Sequence, residues 1–326
     1  MNERLEQIQH WLHGELGLPR GELVPASADA SFRRYFRLHQ PDGTLIVMDA
    51  PPEHEDIRPF EHIDRLLEAH GVHVPHIHAS CASRGLMLLE DFGDTPYLAR
   101  LAPDNADRLY GDAMDTLLRI QHCPPEAIPP YDQDLLMREM RLFDEWFLER
   151  HLGLALGARD RERLAGVYAQ LCERALSQPQ VFVHRDYHSR NLMVTNERSP
   201  GVIDFQDAVC GPITYDLISL VRDSYIEWPE ERVLAWARDY HEKVTRSGLT
   251  TRDWPSFRTD FDWMSAQRHL KVVGIFARLH HRDGKSGYLK DIPLTLRNLR
   301  KSMSPYVEFR DFLAWLEATL PEEAWS

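Results

Sequence analysis

No stretch of this chain is both long and apolar enough to span a bilayer, and its opening residues, Met1 to Glu6, lack the basic-then-apolar order of a secretory leader. A cytoplasmic protein without a membrane partner is the expectation. Cysteine is scarce: Cys81, Cys123, Cys172 and Cys210 stand far apart, with no paired spacing for a zinc or redox motif, which suits a reducing compartment. Positive charge is in deficit too. Lys and Arg together number 38 against 51 Asp and Glu, and the formal net charge of −13 argues against a general nucleic-acid partner. No internal repeat or low-complexity tract interrupts the 326 residues, which suffice for one substantial core.

What is present is concentrated in one place. Val181-Phe182-Val183 reads as a buried strand delivering a polar loop, His184-Arg185-Asp186-Tyr187-His188-Ser189-Arg190-Asn191, and Leu192-Met193-Val194 as the strand that leaves it. Asn196 to Gly201 reads as a turn, after which Val202-Ile203 forms a partner strand ending at Asp204, a hairpin expected to bring Asp204 back toward Asn191. A lone His-x-Asp is common by chance. This ordered set is more specific, because phosphoryl transfer asks for a carboxylate at the attacking hydroxyl and hard oxygen ligands for a nucleotide-bound magnesium ion. Asp186 fits the first role, and Asn191 with Asp204 the second.

At these residues the chain resembles the aminoglycoside phosphotransferase branch of the protein-kinase-like superfamily, and the likeness covers most of the sequence. More narrowly, Val183 to Met193, Ile203 to Ala208 and Gly211 to Leu217 resemble bacterial anomeric kinases of N-acetylmuramate and N-acetylglucosamine, as do Gln267 to Arg278 and Asp283 to Leu289. The resemblance implies an α+β, two-lobed protein-kinase-like fold: a small, mainly β nucleotide-binding lobe over residues 1–93, ending in a hinge, and a larger, mainly helical catalytic and acceptor-binding lobe over 94–326. It implies ATP and magnesium as cofactors and an amino sugar of cell-wall recycling as the small-molecule partner. Other small alcohols, including aminoglycosides and amino alcohols, remain alternatives, and so does a nucleotide-binding pseudokinase.

The resemblance also assigns roles. His184 packs beneath the loop and Asp216 buttresses it by hydrogen bonds, although Asp216 reads equally as a helix N-terminal acid favoured by the macrodipole. Asp207 faces substrate or metal, or else stabilises a turn. Glu90, Asp91 and Phe92 follow the apolar strand Leu86 to Leu89 and occupy the hinge, whose backbone meets adenine in the resembled family. Their alternative is an ordinary strand-to-helix turn.

Two departures mark the first lobe. Ser27 to Arg37 contains no glycine where a hairpin would cover the nucleotide, so the turn around Ser31 would have to approach phosphate without that permissive residue. The strand Thr44 to Ala50 has Met48 and Asp49 where a kinase places its phosphate-pairing Lys. Arg34, on the strand face of Phe32, Phe36 and Leu38, is the candidate replacement, unless it reaches the sheet edge or an anionic partner.

Phe60 to His70 is expected to be this lobe's single packing helix, and His73, His76 and His78 to be packing or surface residues rather than a metal site. Beyond the hinge, apolar spacing predicts helices over Asn105 to Gln121, Asp134 to His151, Arg161 to Ala175, Trp228 to Thr245 and Phe261 to His280. Trp228, Trp254 and Trp263 border helices or loops and are sugar-stacking candidates, with lobe packing as the commoner role. Arg190, Gln267, Arg268 and Lys271 are candidates to meet the acceptor, and an exposed charged helical face is the commoner reason for residues such as Arg268 and Lys271.

Overall fold

The structure, a computed structural model, describes residues 2–27 and 33–325. The described chain divides into two compact units: residues 1–95 with 193–206, and residues 96–192 with 207–326. Among the described residues no helix is long and apolar enough to cross a membrane.

The first unit is built on a five-stranded antiparallel sheet of order β1-β2-β3-β5-β4. Its strands are β1 (Leu23–Ser27), β2 (Arg34–Gln40), β3 (Gly43–Asp49), β4 (Ile77–Cys81) and β5 (Leu86–Glu90). The central strands β3 and β5 carry apolar runs, and Val47, Met48 and Leu86 to Leu89 are buried, as expected where a sheet is covered. The register sets Arg34 opposite Asp49 and Arg37 opposite Ile46.

The expected helix forms as Arg58–Ala69 and buries Phe60, Ile63 and Leu67. It is not this unit's only packing helix. The N-terminal helix Asn2–Gln9 runs into a π-helical segment, His10–Glu15, and Ile8, Trp11 and Leu12 pack with Phe36, Leu38, Val47, Leu86 and Leu88. So few apolar residues in a short, charged segment leave only a faint helical stripe in the sequence.

The segment 193–206 joins this unit. Its hairpin pairs Leu192–Met193, the strand in which the division between the units falls, with Gly201–Val202. Val202 N–H donates to His73 O at 2.8 Å, and the Phe205 ring lies 4.7 Å from Phe60. Gly201 permits this seating, because a Cβ there would lie 2.6 Å from the Phe92 ring. His73 packs on Phe92 with ring centroids 4.6 Å apart, and His76 meets His78 edge to face.

The second unit is helical around a two-stranded ladder of Gln180–Val183 with Val209–Pro212. Its long helices are Ala106–Gln121, Gln133–Leu142 with its π-helical continuation Phe143–His151, Ala158–Leu176, Glu230–Arg246, Trp254–Asp283 and Ile292–Met303. Trp254–Asp283 starts where the Asp253 carboxylate accepts from Ser256 N at 3.0 Å and stops at Gly284, which takes φ +67°. Gly274 lets it approach closely, since a Cβ there would meet the Leu142 backbone carbon at 2.3 Å.

This helix is buried on nearly every side, which corrects the expected charged surface: Gln267, Arg268 and Lys271 are 0 %, 6 % and 4 % exposed. The tryptophans take packing roles. Trp228 donates its indole N–H to Tyr110 Oη at 2.9 Å, Trp254 meets His241 and Phe257, and Trp263 meets Tyr306 and Phe309.

Candidate active site

In the second unit, Gln180–Val183 ends against a loop whose shape is fixed from beneath. Val181 pairs with Gly211 and Val183 with Val209, so His184 is the first residue past the ladder. His184 is fully buried, its Nδ1 accepts the Asp186 N–H at 3.2 Å, and its ring packs edge-on against Tyr187 at 5.6 Å.

Arg185 then takes φ +75°, a left-handed conformation that a long side chain adopts only when its surroundings impose it. Asp216 is what imposes it. This fully buried carboxylate, in the first turn of Tyr215–Val221, accepts from His184 N at 2.6 Å and from Arg185 N at 3.0 Å. Burial pushes the Asp216 carboxyl up to about 7, against the pull of those two N–H donors toward the ionised form.

Asp186 sits at the mouth of this loop. Burial alone would raise its pKa, yet Lys271, Arg268, His188 and Arg185 together bring it down to about 2, so the carboxylate is ionised at neutral pH. Asn191 closes the loop by donating Nδ2 to Asp186 O at 3.0 Å, which fixes the orientation of its amide.

The cations around Asp186 belong to a buried network. Glu139 pairs with Lys271 Nζ at 3.0 Å and accepts from the Arg185 guanidinium and the Tyr131 hydroxyl. Tyr215 Oη accepts from Lys271 Nζ at 3.0 Å and from Arg268 Nη1 at 3.3 Å, and Arg268 Nη1 also reaches Arg185 O at 3.0 Å. Three cations, Arg185, Arg268 and Lys271, thus share a small volume with three carboxylates, Glu139, Asp186 and Asp216. Such a cluster survives burial only because its charges are matched and hydrogen-bonded.

Gln267 lies one helical turn before Lys271. Fully buried, it has no hydrogen-bond partner for either amide atom among the described residues. On the other side of the loop, the Arg190 guanidinium carbon stacks 3.7 Å from the Tyr225 ring and 5.5 Å from Tyr288, while Ser189 N–H donates to Asp223 at 3.0 Å. Asp207 is exposed, and its backbone carbonyl accepts from Arg185 Nη1 at 3.1 Å.

The first unit carries the other candidates. Asp204 is exposed at φ +66°, a conformation Asp tolerates better than most residues, and accepts from Gln206 Nε2 at 2.8 Å. The fully buried Phe205 ring anchors it. Glu90 accepts the His76 N–H at 3.2 Å. Asp91 accepts from Arg37 Nε at 2.5 Å and from Gly93 N at 2.8 Å; burial would raise its pKa, but Arg37, Thr44 and Gly93 hold it below the usual range. Arg34 donates Nε to Asp49 at 3.0 Å, and Arg4 reaches the same carboxylate at 2.7 Å, so Asp49 is the anionic partner of the Arg34 strand position. Ser31 lies outside the described residues.

Glu139, Tyr131, Tyr215, Asp223 and Tyr225 are absent from the sequence reading. Glu139 had a signal: it interrupts the buried stripe of Leu136, Met140 and Phe143, where an acid needs a buried partner. Asp223 and Tyr225 had none, since a short irregular stretch carries no period.

Residues 22–258 match the phosphotransferase enzyme family. The chain is 46% identical to an N-acetylmuramate/N-acetylglucosamine kinase of Pseudomonas aeruginosa over 336 aligned residues, covering 98% of both chains. It is 39% identical to a Neisseria meningitidis protein of the same name, covering 98% of this chain and 97% of that one. Among solved structures, spectinomycin phosphotransferase in complex with ADP and spectinomycin aligns with a TM-score of 0.63 at 12% identity, covering 91% of this chain and 98% of that one. That likeness is one of fold, the two-lobed kinase-like α+β architecture. With a family match over most of its length and relatives that align nearly end to end, the chain belongs to the phosphotransferase enzyme family.

Proposed function

We propose that this protein is an ATP-dependent, magnesium-requiring kinase that phosphorylates the anomeric C1 hydroxyl of N-acetylmuramate or N-acetylglucosamine. The observation that carries the reading is the 46% identity over 98% of both chains to a kinase bearing those sugars in its name. The geometry around Asp186 supports the chemistry. The sugar C1 oxygen forms a bond to the terminal phosphorus of ATP, the bond from that phosphorus to ADP breaks, and the hydroxyl proton leaves toward Asp186.

A carboxylate held near a pKa of about 2 is a weak base, so Asp186 acts mainly by orienting the hydroxyl and takes its proton late. Arg268 and Lys271 keep it ionised, and His184 with Asp216 keeps its loop in shape.

Asn191 and Asp204 are the proposed magnesium donors. A side-chain amide and a carboxylate are hard oxygen ligands that fit this ion. When bound, magnesium neutralises charge on the nucleotide phosphates. In this reading residues 1–93 hold the nucleotide, with the backbone at Glu90, Asp91 and Phe92 toward adenine and Ser31 and Arg34 toward phosphate. Residues 94–326 hold the acceptor, with Arg190, Asp207, Gln267, Arg268 and Lys271 as its candidate contacts. The orphaned amide of Gln267 is the side chain in this set with most to gain from a polar ligand.

An acceptor screen tests the proposal. Purified protein with ATP and magnesium should release ADP with N-acetylmuramate or N-acetylglucosamine and give a non-reducing 1-phosphate by phosphorus NMR. The methyl glycoside, blocked at C1 and free at C6, should not react. ADP release with aminoglycosides or amino alcohols alone would redirect the acceptor, and none with any compound would favour a nucleotide-binding pseudokinase.

A further inference from the structure

Apart from the loop around Asp186, the described residues of the second unit bring three imidazoles together. His151 ends the Phe143–His151 segment, and His280 and His281 lie in the last turn of Trp254–Asp283. One ring nitrogen from each lies within 4.8 Å of the other two. His151 Nδ1 and His281 Nε2 are 3.2 Å apart and hydrogen-bonded to each other. Ligand nitrogens about 2.1 Å from a tetrahedral ion stand about 3.4 Å from one another, so this pair already has the spacing of two ligands on one ion. His280 Nδ1 lies 3.0 Å from Ser286 Oγ, a hydrogen bond of the type that orients ligating imidazoles.

Nothing in the phosphotransferase chemistry uses these residues, and they come from segments 130 positions apart in sequence. Burial of His151, with repulsion from His281 and His280, holds its pKa below the ordinary histidine value. His281 is lowered likewise, by slight burial and by His280 and Arg150. The neutral imidazole is the form that binds metal. Arg282 and Asp283, which follow His281 in sequence, pair with each other at 2.9 Å. A site of three imidazoles and no carboxylate does not suit magnesium; it suits borderline transition ions and leaves one coordination position to water.

We propose that His151, His280 and His281 form a site for a zinc-class transition-metal ion, which clips the ends of the Phe143–His151 and Trp254–Asp283 segments together. The clip would brace the helix that carries Arg268 and Lys271 without touching the loop around Asp186.

The test uses the full-length, tag-free protein stripped with a chelator. Cobalt(II) should bind at one equivalent with visible d–d absorption of low-symmetry, four- or five-coordinate character. Zinc should displace it and raise Tm by several degrees when present at about 100-fold its Kd. His281→Ala should fold normally, lose the absorption and the zinc-induced Tm shift, and keep the magnesium-dependent turnover of the metal-stripped protein. His151→Ala should lose the absorption as well. Magnesium in place of zinc should leave the cobalt spectrum unchanged. Absence of stoichiometric cobalt binding, or an absorption that persists undiminished in His281→Ala, would overturn the site.

Discussion

The two units hold their charged residues in opposite ways. Around Asp186 the charges are buried and shared: Glu139 serves Arg185, Lys271 and Tyr131, and Asp216 serves two backbone N–H groups. In the first unit the arginines pair in smaller sets, Arg34 and Arg4 on Asp49, and Arg37 on Asp91 and Asp94, with Arg34 the nearest of them to solvent. The Arg34 side chain is 39% exposed, the Lys271 side chain 5%. Removing one member of a buried network strands its partners in a medium that cannot solvate them, whereas an exposed pair loses little because water replaces the partner. The difference teaches where activity and stability are coupled in this protein and where they separate.

The sharpest test of the buried region is Asp186→Asn, which keeps size and hydrogen bonding but removes the charge. Turnover should fall roughly 10²- to 10⁴-fold, the range for a positioned acid–base group. Nucleotide affinity should change little, so a loss confined to kcat, read by steady-state kinetics with ATP binding measured separately, is the expected outcome. Near-normal turnover would remove Asp186 from the acceptor.

Glu139→Gln comes next and acts mainly on stability. Glu139 offsets Arg185 and Lys271, and its own carboxyl, which burial would raise, is held below the ordinary value by Lys271 and Arg185. Taking away its charge should cost about 3 kcal/mol, within the range for breaking a buried pair, measured by urea denaturation. A loss below about 1 kcal/mol, the scale of an exposed pair, would mean that water already reaches this network and that the contrast between the units is false.

The sequence revealed the strand-loop-strand around Asp186 because buried strands announce themselves as apolar triplets and the loop between them is polar. It revealed five of the six long helices by their apolar spacing, and not Ile292–Met303. Gln267, Arg268 and Lys271 are legible as acceptor candidates but their burial is not, because a helix buried on all sides loses the two-faced pattern from which burial is inferred. The helix Asn2–Gln9 was missed because most of its residues are charged or polar. The histidine cluster was illegible for another reason: chain distance hides any site assembled from a helix end at residue 151 and another at residue 281. Arg34 was half legible, since alternation gave its strand face and only cross-strand register could identify Asp49 opposite it.

Acidity separates the network's carboxylates in sign. Asp216 is raised from its ordinary 3.8 to about 7 by burial, so between those values the folded protein retains a proton that the unfolded chain has released. Its contribution to stability therefore declines as pH rises from about 4 to 7. Asp186 is lowered to about 2, and its stabilising contribution is present above about pH 4 and lost as pH falls toward 2. Denaturation at pH 5 and pH 8 should show Asp216→Asn closer to the parent at pH 8 than at pH 5. An equal difference at both values would show that Asp216 is ionised throughout.

The smallest expected effect lies at Arg34, the most exposed cation of these sets. Arg34→Met keeps the apolar stem over Phe36, where the guanidinium carbon now sits 5.7 Å from the ring centroid, and deletes the cation. Arg4 still holds Asp49 at 2.7 Å, so that buried carboxylate is not left alone. The fold should lose no more than about 1 kcal/mol, within the range for a partly exposed ion pair. If Arg34 also reaches phosphate, the KM for ATP should rise in Arg34→Met and stay near the parent value in Arg37→Met, whose guanidinium is engaged by Asp91 and Asp94. Equal KM values in both variants would leave Arg34 with Asp49 as its sole task, and the cation that replaces the strand Lys would have to be sought elsewhere.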